Sequence, residues 1–475
     1  MHVVLVIPPF DLSASFGSKK RMQLGVLAPL GVGYLAASLE PRGHTVTLID
    51  AIALALNQDE AVDRILSARP DVIGISCVTK MAENAYAVIA ALKARAPDIP
   101  VVFGGAHATS FVERVLDECP GIDFLVPGEG EITLADLVDR LAEGRDWGDL
   151  PGLVYREGGG QVHCTPVPEP VRDLDTLPNP ARHIYQSELY LPLPNQARRK
   201  PATTVITSRG CPWGKCAFCY QGGRYAQPYR QRSAAHVVDE LGHLVKDFGI
   251  REVIFWDDNF GMSRTWTEEF CRRLEQERLD ITWTAQMRVN TVRPESLKRM
   301  ASVGCYNVYY GFESGNQELL DMIHKGITLD EIRNAVTWAK QAGMEIRGSF
   351  ILGLPTETPE MSEKTIRFAC ELNVDWMIFF PYIVRRGTPL EERALREGRV
   401  VDSGTNMHLP SYVPNTYASA EQLEAMVKRA YRRYYMRPAF IGRTLWQARK
   451  WSRLKNYAGA ARIWVDMMRS RSQRP

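Results

Sequence analysis

No stretch of the 475-residue chain reaches the roughly 18 uninterrupted apolar residues that a membrane-spanning helix needs. The apolar run 3–7 is far too short, lacks a basic leader and a cleavage site, and reads as a first strand rather than a signal peptide. A dominant charge is missing as well. The formal net charge is +3, so no global field argues for nucleic-acid binding. No Gly-x-Gly-x-x-Gly opens the first helix and no lysine-bearing phosphate loop occurs, which leaves nicotinamide and nucleotide binding without support. The chain is expected in the cytoplasm, where structural disulfides are not expected. Cys77, Cys119, Cys164, Cys271, Cys305 and Cys370 are scattered and read as small, mostly buried hydrophobes.

The remaining three cysteines are clustered. Cys211, Cys216 and Cys219 stand in "GCPWGKCAFCY", spaced by four residues and then two. Zinc would need a remote His or Cys as a fourth ligand, the spacing is not that of a zinc ribbon, and no second paired thiol motif occurs. A cubane of four irons takes one ligand per iron, so three thiolates leave one iron open. An open metal position marks a site that binds something, and an iron–sulfur site is the favoured reading.

Periodicity divides the chain into four parts: 1–143, 144–201, 202–400 and 401–475. In the first, candidate strands at 2–8, 45–50, 72–77, 101–105 and 124–128 alternate with amphipathic stretches. That pattern predicts an α/β, doubly wound, Rossmann-like domain with ligands at the strands' carboxyl ends. Residues 144–201 carry eight prolines from Pro166 onward and read as a proline-rich linker along the surface. Strands are then expected at 203–207, 252–257, 282–288, 307–312, 346–352 and 376–382, again alternating with helices. Six such units predict a partial (β/α)6 TIM-type barrel with chemistry at its C-terminal rim. The last part reads as mostly helical and basic. From Met436 it holds ten Lys or Arg against the single acid Asp466, interleaved with Trp446, Trp451 and Trp464, a composition suited to peripheral contact with an anionic membrane.

Arg209-Gly-Cys-Pro followed by Cys216-Ala-Phe-Cys219 resembles the cluster loop of the radical S-adenosylmethionine (SAM) enzymes. The resemblance implies a 4Fe-4S cluster on Cys211, Cys216 and Cys219, with S-adenosylmethionine completing the open iron and yielding a 5′-deoxyadenosyl radical. The family's usual loop has three residues between the first two cysteines. Here there are four, Pro212 to Lys215, and Gly214 is the residue best able to absorb the insertion. The resemblance extends to Trp256-Asp-Asp-Asn-Phe260, Gly311-Phe-Glu-Ser-Gly315 and Gly348 to Glu357. It implies S-adenosylmethionine contacts from Phe218, Asp257, Asp258, Glu313, Ser314 and Gly353, with Arg288 and Arg347 forking onto its carboxylate.

The first domain is similar to the cobalamin-binding domain fused ahead of many such enzymes, through Pro8-Pro9, Pro29 to Tyr34, Gly104-Gly-x-His-Ala-Thr109 and Gly128-Glu-Gly-Glu131. Candidate cobalamin residues are Ser76, Thr79, Gly104, Gly105, His107, Thr109, Gly128 and Glu129. Asp-x-His-x-x-Gly, which supplies a lower axial histidine in several cobalamin enzymes, is absent. Ser76 and Thr79 either line the cobalt's lower face or cap the next helix.

Taken together, the chain resembles the class B, cobalamin-dependent radical SAM methyltransferases. That implies methylation of an unactivated carbon, less readily phosphorus, of a small-molecule substrate by a monomer fed by an external one-electron reductant of flavodoxin or ferredoxin type. Radical cyclisation or ring rearrangement, as in the magnesium-porphyrin cyclases, is the alternative on the same scaffold. A non-enzymatic cobalamin or redox sensor is a third reading. Tyr309, Tyr310, Phe379, Phe380, Tyr382 and Arg385 are candidates to line the substrate.

Overall fold

The run Val3-Val-Leu-Val-Ile7 leaves no face for water. In the computed structural model it is buried as β1 (His2–Ile7), inside a parallel sheet covered on both sides. The structure describes residues 1–11, 25–157, 160–223, 226–401 and 409–448, with backbone alone from 445. These fall into two compact units, one ending at Leu191 and the other beginning at Pro192.

In the first unit β2 (Thr45–Asp50), β3 (Val72–Ser76), β4 (Val101–Gly104) and β5 (Phe124–Val126) join β1 in the parallel order β2-β1-β3-β4-β5. Strand order reverses between β1 and β3, which opens a crevice at their carboxyl ends. Local signals set the helices. Gln58–Ser67 starts at a capping box in which Asn57 accepts from the Glu60 amide at 3.0 Å and Glu60 accepts from the Asn57 amide at 2.7 Å.

The stretch expected to be a linker does more than link. Two strands, β6 (Val154–Arg156) and β7 (Val162–Cys164), add an antiparallel hairpin to the edge at β5. Here the short Val-x-x and Val-x-x runs flank three glycines, a hairpin signal that the later prolines obscured. Further on, the Ala181 amide donates to Gly33 O at 3.0 Å and the Tyr185 hydroxyl to Pro29 O at 3.1 Å. The segment is therefore pinned to helix Leu30–Leu39.

The second unit contains β8 (Ala202–Val205), the short strands β9 (Ser208–Arg209) and β10 (Arg230–Gln231), then β11 (Glu252–Phe255), β12 (Thr282–Met287), β13 (Cys305–Glu313), β14 (Glu345–Leu352) and β15 (Trp376–Pro381). Six of these lie parallel in the order β8-β11-β12-β13-β14-β15, the expected partial barrel. Four of the intervening helices begin at Ser233, Ser263, Thr328 and Thr358, each accepting a backbone N–H within the first turn. Strand positions alternate. Val253, Phe255, Trp283, Ala285, Val308, Phe312, Phe350 and Phe379 face the helices and form the core, and their sequence neighbours face the barrel hollow.

An edge strand needs a cover, and β15 receives one from helix Ala420–Tyr435. The Phe379 amide donates to Tyr431 Oη at 3.2 Å. Tyr435 Oη accepts from the Met377 amide at 2.9 Å and donates to Met377 O at 2.7 Å. A small antiparallel pair, β16 (Gly398–Val400) and β17 (Tyr412–Pro414), precedes this helix. Helix Pro438–Ala448 follows. The expected membrane-contacting tryptophans Trp451 and Trp464 lie outside the described residues, as does the Trp446 side chain. No described helix is long and apolar enough to cross a membrane.

Candidate functional site

The cysteine loop is built from its base upward. Strands β9 and β10 pair antiparallel and bring the two ends of the cysteine-bearing segment together. Gly210 takes φ +79°, and a methyl group there would stand 2.6 Å from Pro228 O, so only glycine fits the neck. Below it, Asp257 Oδ1 accepts from the Thr207 amide (2.9 Å), Thr207 Oγ1 (2.8 Å) and Ser208 Oγ (2.7 Å). Burial pushes this carboxyl up to about 6. Arg232, itself buried, donates to Ile206 O at 2.9 Å and to buried Glu240 at 2.6 Å, which holds the strand end from the other side.

Within the loop all three cysteines are free thiols, Cys216 buried and Cys211 and Cys219 half-buried. The Ala217 amide donates to Ile323 O and the Cys219 amide to Cys216 O, at 2.9 and 3.1 Å. Burial raises the thiols of Cys216 and Cys219, while the cations Lys325 and Arg288 act to lower that of Cys216. Arg288 Nη1 lies 3.8 Å from Cys216 Sγ, and its Nη2 donates to Lys325 O. Lys325 Nζ in turn pairs with Glu313 Oε1 at 2.7 Å. Glu313 adopts φ +63°, a conformation uncommon outside glycine and one that clusters at functional sites.

The insertion is now explained. Gly214 takes φ +53°, and the lengthened loop lays Trp213 across Gly326, with Nε1 donating to His324 O at 2.9 Å. The Arg288 guanidinium sits 4.8 Å from the same ring's centroid. Among the described residues no three His, Cys, Asp or Glu side chains are grouped to hold a single metal ion. A cubane asks for something different, one thiolate per iron. Three free thiols with two cations beside them fit an anionic cluster by donor type and by charge.

The residues expected at S-adenosylmethionine differ widely in burial and depth. Asp257 is 1% exposed, with Oδ1 taken up by the loop base and Oδ2 buried without a hydrogen-bond partner among the described residues. The neighbouring Asp258 is exposed and bonded only to Gln221, at 2.9 Å. Ser314 is fully buried and accepts from the Asn316 amide at 3.1 Å, leaving no surface for a ligand. Arg288 is tied to the cysteine loop rather than held as an open fork. Arg347 sits near the start of β14, paired in register with Tyr309 and Trp376, well below the rim. Gly353 takes φ +77° and is crowded by Leu423, so packing explains its glycine. Phe218 is half-buried in an apolar cluster with Ala217, Leu354 and Tyr382. Tyr310 and Phe379 belong to the helix-facing core and line no substrate. Lys325, Trp213 and Gln221 were missed, because contacts made across the fold leave no local pattern.

In the first unit the candidate cobalamin residues fall on three adjacent loops after β3, β4 and β5. Gly105, at φ +92°, lets two of them cross, since a methyl group there would stand 2.7 Å from Cys77 O. Thr109 Oγ1 donates to Gly105 O at 2.9 Å and accepts from the Gly128 amide at 2.8 Å, tying the β4 and β5 loops together. Gly104 O accepts from the Cys77 amide at 3.1 Å. Gly128, at φ +83°, is exposed with open space beside it, and Glu129 follows at the same strand end. The open space beside the exposed Gly128 backbone leaves room for a broad ligand such as a corrin ring.

His107 is not a free ligand. Its Nε2 lies 2.8 Å from Tyr86 Oη and its Nδ1 3.4 Å from Thr79 Oγ1, and burial lowers its basicity. Ser76 and Thr79 border the β3 loop. Thr79 opens a short turn before helix Ala82–Arg95, a helix with no side-chain cap, so capping is not its role.

The B12 binding domain family matches residues 24–138, and the radical SAM superfamily matches residues 205–369. An uncharacterised methyltransferase of Pyrococcus horikoshii is 34% identical over 443 residues, 93% of this chain and 94% of the relative. The anaerobic magnesium-protoporphyrin IX monomethyl ester cyclase of Rubrivivax gelatinosus is 31% identical over 426 residues, 87% of this chain and 74% of the relative. Among solved structures, the radical S-adenosylmethionine methyltransferase TsrM of Kitasatospora setae, with cobalamin and a 4Fe-4S cluster bound, is alike in fold. Its TM-score is 0.69 at 20% identity, over 89% of this chain and 81% of that one.

Proposed function

The chain belongs to the cobalamin-dependent radical S-adenosylmethionine enzymes, and on that premise we propose that it methylates a carbon, rather than a phosphorus, of a small-molecule substrate. The family's cofactors are cobalamin, a 4Fe-4S cluster and S-adenosylmethionine. When bound, they supply low-potential electrons, hydrogen abstraction and a transferable methyl group.

In this reading Cys211, Cys216 and Cys219 hold three irons. Arg288 and Lys325 offset the thiolate charge, with Arg288 held over Trp213 and Lys325 fixed by Glu313. Phe218 and Asp258 retain surface for S-adenosylmethionine. Ser76, Thr79, Gly104, Gly105, Thr109, Gly128 and Glu129 border cobalamin, and His107 steadies the Thr79 hydroxyl instead of ligating cobalt. We place the enzyme in the cytoplasm as a monomer fed by a flavodoxin or ferredoxin, with membrane contact confined to the basic tail.

One observation carries methylation over ring closure. The methyltransferase relative matches this chain nearly end to end, whereas the cyclase relative has about a quarter of its length unmatched. Because the cyclase still shares 87% of this chain, ring closure stands as the second reading.

The test is anaerobic incubation of the reconstituted chain with cobalamin, a reductant, S-adenosylmethionine and candidate substrates. S-adenosylhomocysteine appearing together with 5′-deoxyadenosine supports methylation. Deoxyadenosine alone, with substrate consumed, overturns it in favour of cyclisation or rearrangement. Replacing all three cysteines by alanine abolishes every product, and continued cleavage would rule out the cluster assignment.

A further inference from the structure

The barrel hollow contains a cation with no ion-pair partner among the described residues; Glu345 and Glu252 attract it from beyond that distance. Arg347 is 6% exposed, and Nε donates to Asn307 Oδ1 at 2.8 Å. Among the described residues its two terminal nitrogens have no hydrogen-bond partner, and no carboxylate lies within ion-pair distance of it. Its nearest aromatic face is Tyr309, at 5.4 Å from Cζ to the ring centroid. Glu252, the buried acid at the foot of β11, is already engaged by Tyr306, Thr282 and the amides of Arg198 and Arg199.

Two more polar groups on the same face have no partner. Asn307 Nδ2 and Thr284 Oγ1 are buried and unbonded. Thr284 pairs in register with Asn307 across β12 and β13, and Asn307 reaches Arg347 on β14. Three adjacent strands thus carry donors left over on one face once Arg347 Nε has bonded Asn307 Oδ1. Natural interiors satisfy or pair such groups, and a buried unpaired guanidinium is the costliest kind to leave alone.

Nearer the strand ends the hollow-facing residues are less buried. Gln286, Tyr309, Ile351, Ile378 and Phe380 are each partly exposed, while the residues between them are buried under the helices. Arg347 lies deeper along the same face of β14 than the partly exposed Ile351.

We propose that Arg347, Asn307 and Thr284 form an anion subsite in the barrel hollow that holds a carboxylate or phosphate-type group of the substrate. Calling that ligand the substrate rests on the methyltransferase reading; the anion site itself does not. Ile351 lies four residue steps beyond Arg347 along β14, about 13 Å of strand. The acidic group therefore lies roughly that far below the rim, and the substrate is an elongated anion rather than a compact or neutral molecule. Such a guanidinium prefers planar or tetrahedral oxyanions that accept two N–H groups at once.

The test uses the full-length, cluster-reconstituted protein without S-adenosylmethionine, so its result is independent of any methylation assay. Equilibrium dialysis is run with radiolabelled inorganic phosphate and, separately, with radiolabelled acetate. The expected result is saturable binding of at least one anion, weakened at least tenfold in Arg347→Met and less in Arg347→Lys. The tighter of the two probes identifies the group class. Crystals soaked in tungstate should place an anomalous peak at the guanidinium. Absence of saturable binding, equal binding by Arg347→Met, or water alone beside Arg347 overturns the proposal. If Arg347→Met does not fold, Thr284→Val keeps the side-chain shape and removes one donor. At least threefold weaker binding is then expected, and unchanged binding overturns the proposal.

Discussion

Trp213 packs so closely on Gly326 that a methyl group at that glycine would overlap the indole ring. Gly326 also takes φ +63°, which costs a residue with a side chain about 1–2 kcal/mol. The residue pair fixes the lengthened cysteine loop against the segment that carries Lys325.

Gly326→Ala is therefore expected to displace the loop and to lower iron and sulfide content after reconstitution at least twofold. Adding Trp213→Ala removes the overlap and should bring iron content back toward that of Trp213→Ala alone. Wild-type iron content in the single variant would show that this contact does not shape the loop.

Lys325 and Glu313 form a buried ion pair at 2.7 Å, each side chain 10% exposed. Removing one partner strands the other charge, at a cost of about 3–5 kcal/mol. Lys325→Met should lower stability by that order in chemical denaturation, and combining it with Glu313→Gln should restore at least half of the loss. A double variant no better than the single one would mean that the pair is not coupled.

Glu357 is fully buried, accepts from the Leu354 amide at 2.9 Å and from Ser362 Oγ at 2.5 Å, and burial pushes its carboxyl up to about 7. The fold thus favours the neutral acid. Its contribution to stability is present below the ordinary value of 4.5 and is lost as pH rises through 7. Glu357→Gln cannot ionise, and its single carbonyl oxygen keeps one of the two accepted hydrogen bonds, a loss that is the same at every pH. Between pH 4.5 and pH 8 the variant should gain on wild type by up to about 3 kcal/mol. Denaturation across that range measures the gap, and a constant gap would mean that the acid ionises without penalty.

Tyr435 Oη serves both the amide and the carbonyl of Met377 on the edge strand β15. Tyr435→Phe leaves those groups without a partner, at a cost of about 1–3 kcal/mol. Hydrogen exchange should quicken at Met377 by more than tenfold and remain unchanged in the central strand β12. Exchange unaltered at Met377 would remove the tyrosine as the cover of that edge.

Much of this molecule was legible in the chain. All six barrel strands were found within a few residues of their observed ends, because their helix-facing positions are apolar and alternate or run on without a break. The three cysteines were equally plain, since a loop that brings its own ligands needs no help from distant residues. The hairpin β6–β7 was missed because its two strands are three residues each and lie beside a proline-rich stretch.

Sequence alone determined the clustering of the three cysteines, the five parallel strands of the first sheet and the six of the barrel, all properties of local spacing and periodicity. Tertiary structure decided which candidates share a site. Asp257 and Asp258 are adjacent in sequence just past the end of β11, yet one is buried, accepting from Thr207 and Ser208, and the other is exposed where the chain bends away. Arg288 and Arg347 look alike in sequence, but one ends its strand beside Cys216 while the other sits near the foot of β14. Depth along a strand and the partner reached across the sheet depend on register, and register exists only once the strands have paired.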